Sequence, residues 1–146
     1  MNETSQPMKW ASALSTRPSL EGAVREVVDQ LKTQFDGVPD LGVLFISSSF
    51  TSEFPRLLPL LQDMWSIPNL VGCSGGGVIG MNAEHVPQEV ENAPALSLSV
   101  ASLPGVLVRT FYLSSDDLPD LDSPPNQWTD LIGVPPPGGT PVYFDG

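Results

Sequence analysis

The chain has 146 residues, 40% of them hydrophobic and 16% charged, which is enough apolar material for one domain with a core and too much for a disordered chain. Its formal charge of −11, from seventeen acidic and six basic residues, supplies no positive field to gather nucleic acid or anionic lipid. One cysteine excludes an internal disulfide, and with one histidine it is too little for a four-ligand zinc site, so neither metal nor cofactor is expected.

No apolar run approaches the roughly 20 residues of a membrane helix. The opening MNETSQPMKW has no charged segment followed by an apolar one, so a soluble, cytoplasmic protein is expected. In MKWASAL, Trp10 lies among small and apolar neighbours, which predicts a short strand. The cap and turn residues Ser15 to Ser19 then lead into Leu20, Val24, Val27, Val28, Leu31 and Phe35, spaced as one helix face until Gly37. Glu21, Arg25, Asp29 and Lys32 form the wet face.

LGVLFIS, Leu41 to Ser47, is too short for a lone helix and reads as a central strand buried on both faces. A second helical pattern occupies Leu57, Leu58, Leu61, Met64 and Trp65. Pro55 and Pro59 cannot both sit in a first turn, which predicts a helix starting or kinked at Pro59. NLVGC reads as another buried strand, and 82–94 as a polar loop. ALSLSVASL alternates with a period of two, as a strand buried on one face does. Pro104-Gly105 turns the chain, and VLVRTFYL supplies the returning strand of a hairpin. The predicted fold is α/β, a mixed β-sheet in β-α-β-α-β order followed by hairpin strands, with two main helices packed on it.

From Ser114 the composition shifts. Seven of the sixteen prolines lie between Pro119 and Pro141, and Asp116, Asp117, Asp120 and Asp122 stand just before or within that stretch, so the chain is expected to divide into a domain at 8–113 and a linker, tail or truncated continuation at 114–146. Leu131-Ile132 and Val142-Tyr143-Phe144 do not suit a pure linker. The latter resembles the start of another strand, so the chain is expected to be part of something longer or to end where a second domain would begin.

LVGCSGGGVIG, Leu70 to Gly80, holds five of the thirteen glycines and the cysteine. Gly75, Gly77 and Gly80 match GxGxxG by spacing, but no lysine and no helical pattern follow, as a phosphate cradle requires. Gly72, Ser74 and Gly76 have the spacing of a nucleophile elbow, for which Cys73 or Ser74 would be the nucleophile of a hydrolase and His85 the base. A plainer reading makes the glycines a tight reversal or close backbone approach, with Cys73 packed as a small hydrophobe. A binding reading uses bare amides at a strand end to hold a small carboxylate-bearing molecule. Glu84, Glu89 and Glu91 read as a solvated loop that could close over such a ligand.

WASALSTRPSLEGAVREVVDQL, DLGVLFIS, VGCSGGGVIG and EVENAPALSLSVASLPGV together resemble the N-terminal part of FIST domains, from about Lys9 to Leu113. The resemblance implies a non-enzymatic sensory module that binds a small ligand, an amino acid or other carboxylate, and is coupled to a signalling protein. It places the glycine motif on Gly72, Cys73, Ser74, Gly77 and Gly80, with Gly75 between them, and an acidic element on Glu89 and Glu91. Gly76 departs from the family, which often has a polar or acidic residue there. The resemblance also implies a C-terminal FIST-type domain, supplied in cis or in trans, as partner. The proline-rich tail, with Pro135-Pro136-Pro137, suits a protein-interaction scaffold as a further alternative.

Overall fold

Strand β6 (Leu96–Ser102) runs antiparallel to both of its neighbours, β1 (Lys9–Ser15) on one side and β2 (Leu41–Ser47) on the other. The structure, a computed structural model, describes residues 6–133. The chain divides into two units, one ending at Val108 and the other beginning at Arg109. In the first, β3 (Leu70–Gly75) pairs parallel with β2, giving a mixed four-stranded sheet in the order β1-β6-β2-β3. Helix α1 (Leu20–Gln34) links β1 to β2. A 3-10 segment, Ser48–Glu53, and helix α2 (Phe54–Met64) link β2 to β3. The α/β class and mixed sheet expected from the sequence are present.

Both helices cover one face of the sheet. Register places Ala11 and Ala13, Leu96, Leu98 and Val100, and Leu44 and Ile46 on that face, where they pack with Leu20, Ala23, Val24, Val27, Val28 and Leu31 of α1 and Leu57 and Leu61 of α2. Each large aliphatic buried here contributes roughly 1.5–3 kcal/mol of transfer free energy. Ser19 caps α1 by accepting from Gly22 N–H at 3.1 Å. Phe35 leaves the helix in an extended conformation yet stays buried, its ring edge-on to Trp65 at 6.2 Å. Lys32 extends over the Trp65 ring and donates to the Met64 carbonyl at 2.8 Å, closing the end of α2.

Several sequence expectations are corrected. Residues 106–113 form no strand, because a returning strand would need an edge of β6, and both are taken by β1 and β2. The hairpin lies elsewhere: β4 (Gly77–Met81) and β5 (Pro87–Glu91) form a two-stranded ribbon, so 82–94 is not all loop. β6 is buried on both faces despite its alternation, since Ser97, Ser99 and Ala101 are small residues beneath the ribbon and the segment after β6. β3 is an edge strand and largely exposed. α2 begins at Phe54 with Pro55 in its first turn, and Pro59 lies inside it, where it cannot donate the usual i→i−4 bond to the Pro55 carbonyl.

In the second unit, helix α3 (Pro125–Ile132) contains Leu131-Ile132, and Gly133 ends it in the left-handed conformation. Ser114 N–H and Oγ both donate to the Asp117 carboxylate, at 2.9 and 2.7 Å. These bonds to its ionised form hold the Asp117 carboxyl below the usual carboxylate range, the backbone bond contributing most. Pro135-Pro136-Pro137 and Val142-Tyr143-Phe144 lie outside the described residues.

Candidate functional site

The LVGCSGGGVIG stretch comprises β3, a one-residue break at Gly76, and most of β4. Two of its glycines are required by close approach. A β-carbon at Gly72 would stand 1.9 Å from the Leu44 carbonyl oxygen, so no side chain fits there while β3 is paired with β2. A β-carbon at Gly80 would stand 2.8 Å from Ser97 Oγ and 2.9 Å from Leu14 Cβ, so Gly80 lets the ribbon lie against the sheet while Val78 is buried with Leu14 and Ala95. Gly76 is different, with open space where a side chain would point.

The helix layer stops short of β3. Beside α2 this leaves an open groove of about 330 Å³, walled by Leu44, Ile46, Phe54, Leu57, Leu58 and Leu70 and floored by Gly72 and Ser74. The bare Gly72 and the short Ser74 create the space. On the opposite face, Cys73 pairs in register with Phe45, and Phe45 and Val71 are each 41% exposed. Cys73 is itself exposed, which corrects the expectation that it packs as a small hydrophobe, for the edge strand carries it beyond the core.

The structure separates the residues that the sequence grouped. Gly72 and Ser74 line the groove with the backbone of Cys73 between them, and Gly75 follows Ser74 at the end of β3. Gly77, Glu89 and Glu91 come together on the ribbon: Gly77 is opposite Glu91, and a β-carbon at 77 would stand 3.6 Å from Glu89 Oε1 and 3.5 Å from Glu91 Cγ. Val78 and Gly80 turn toward the sheet, so this acidic pair lies on the ribbon's outward side, with the exposed Ile79. Gly80 belongs to the packing between ribbon and sheet. Neither glutamate forms an ion pair among the described residues.

His85 lies at the tip of the ribbon, in a left-handed conformation within a turn that Asn82 organises by accepting from Glu84 and Val86 N–H, each at 3.0 Å. Its side chain makes no hydrogen bond to Cys73 or Ser74 and does not line the groove. Sequence reasoning missed the groove walls, Phe54, Leu57 and Leu58, because their helical spacing reads simply as core. Leu58, 52% exposed, could have been noticed as an apolar residue off the buried stripe of α2.

The sequence model of the FIST N domain matches residues 40–119, more than half of the chain. The chain belongs to the FIST N domain family. This FIST N domain therefore falls in a family of sensory domains of signal transduction, as the sequence resemblance implied. Neither a curated protein nor a solved structure matches it. The match begins at Asp40 and contains β2, α2, β3, the ribbon and β6, and so includes the whole groove and the acidic pair. Among the described residues no helix is long and apolar enough to cross a membrane, and no cluster of His, Cys, Asp or Glu suits a metal ion.

Proposed function

We propose that this FIST N domain is the ligand-sensing part of a signalling protein, and that it takes a small molecule with an apolar body and a carboxylate, such as an apolar amino acid. The observation that carries the reading is the groove between α2 and β3. Its volume of about 330 Å³ lies at the lower end of the range for small-molecule sites, and its aliphatic and aromatic walls with one hydroxyl suit a compact apolar body. The groove runs along β3 from Leu70 to Ser74 and so reaches the carboxyl end of the parallel pair, the end of an α/β sheet at which ligands commonly bind. Past Ser74 the chain bends at Gly76, where nothing stands within 4 Å of the place a side chain would occupy, and this bare turn is the suggested seat for the carboxylate. Ligand occupancy would be communicated to a signalling partner, with a C-terminal FIST-type domain, in cis or in trans, as the intermediary that the family resemblance suggests.

Thermal denaturation and calorimetry with leucine, isoleucine, phenylalanine and simple carboxylates test this. At a concentration about 100 times Kd, a ligand stabilises the fold by about 2.7 kcal/mol, several degrees in Tm. Leu58→Arg, an exposed groove-wall position, is expected to remove the shift without unfolding the domain. No response from the wild-type chain to any member of the panel would refute the assignment.

A further inference from the structure

Among the described residues no strand pairs with the outer edge of β3. Gly42 N–H donates to the Asn69 carbonyl at 2.8 Å, which fixes the alternation: the backbone groups of Val71 and Cys73 face β2, and those of Leu70, Gly72 and Ser74 point away from the sheet. Exposed edges are ordinarily blunted by charge, proline or a bulge. LVGCSG has none of these, and its register with β2 is continuous from Leu70 to Gly75. The other edge, β1, begins with Lys9. Apolar surface flanks the β3 edge on both faces, Leu58 and Leu70 on the helix side, Phe45 and Val71 on the other.

Charge selects the occupant. The strand itself is uncharged, but two residues past its end stands Gly77 with Glu89 and Glu91, an acidic pair with no cation beside it among the described residues. A second copy of this chain would set −11 against −11. We infer that the β3 edge receives an extended segment of a different protein, apolar or small where it lies along Leu70 to Ser74 and basic where it reaches Glu89 and Glu91. Backbone hydrogen bonds to the edge would supply affinity and the acidic pair would supply selectivity. This inference does not depend on the ligand reading, which uses the groove and the bare turn at Gly76.

The test uses the full chain and a capped, fluorescent peptide of alternating valine and threonine flanked by lysine pairs, followed by anisotropy. The lysine-flanked peptide is expected to bind about tenfold more tightly than its glutamate-flanked counterpart. Glu89→Gln with Glu91→Gln should close that gap. Ser74→Pro, which removes an outward N–H and leaves pairing with β2 intact, should abolish binding of both peptides. A peptide N-methylated at alternate residues should fail against the wild-type chain, a readout independent of how any variant folds. Equal binding of the two flanked peptides, undiminished binding of the N-methylated one, or no binding to the folded chain would overturn the inference. So would a dimer of the chain that Ser74→Pro dissolves.

Discussion

Gly72 and Leu44 meet backbone to backbone across β3 and β2, with 1.9 Å between the Leu44 carbonyl oxygen and the place a β-carbon at 72 would occupy. Gly72→Ala must therefore push the strands apart, and a loss of about 2–4 kcal/mol in stability is expected, in the range of severe local misfits. Gly76→Ala is the matched comparison: its side chain meets nothing within 4 Å, so the change should be neutral or stabilise by about 0.4–1 kcal/mol. Urea denaturation of both variants checks the pair, and equal losses would show that β2 and β3 are not held as described.

Cys73 is exposed on an edge strand, so a disulfide reagent should titrate one thiol per chain in the native state, without denaturant. Its rate should match that of a free exposed cysteine, because among the described residues no base is hydrogen-bonded to the thiol. Labelling that requires urea would place Cys73 in the core. Labelling far faster than an unactivated thiol near neutral pH would revive a nucleophilic role with His85.

Asp117 links protonation to local order. Its carboxyl is held below the ordinary range by Ser114, so the turn from Ser114 to Asp117 is fully stabilised above that range and loses the contribution as pH falls through the lowered folded value. Ser114→Ala removes the hydroxyl bond but retains the backbone one, and should raise the Asp117 titration part of the way toward normal. Carboxyl chemical shifts followed with pH give the answer, and an unchanged titration would exclude the hydroxyl as a cause.

Much of this fold is legible in residue patterns. α1 is written in the spacing of Leu20, Val24, Val27, Val28 and Leu31, and all five are buried on the sheet. β2 is written in an unbroken apolar run. The misreadings share a cause, which is that strand neighbours are a long-range property. Nothing local in ALSLSVASL says that β6 is flanked on both sides, and without that knowledge VLVRTFYL looks like its partner. In the same way, LVGC reads as buried because its residues are apolar, whereas its place at the sheet edge exposes it. Of the candidate site, the glycine motif and the acidic element were visible in the sequence. Their separation between groove and ribbon was not, since it depends on the bend at Gly76, where the chain leaves the four-stranded sheet for the ribbon.

The central position of β6 also sets an order of events during synthesis. Ser99 Oγ donates to Ser12 Oγ across 87 residues of sequence, and the strands that flank β6 are both made long before it. Until Ser102 has emerged from the ribosome, β1 and β2 lack the strand that joins them, and α1 lacks Leu96, Leu98 and Val100 of the core it packs into. The nascent chain must therefore carry an unfinished apolar layer until β6 is made, a slow, non-local closure during which it is open to chaperones and to misassociation.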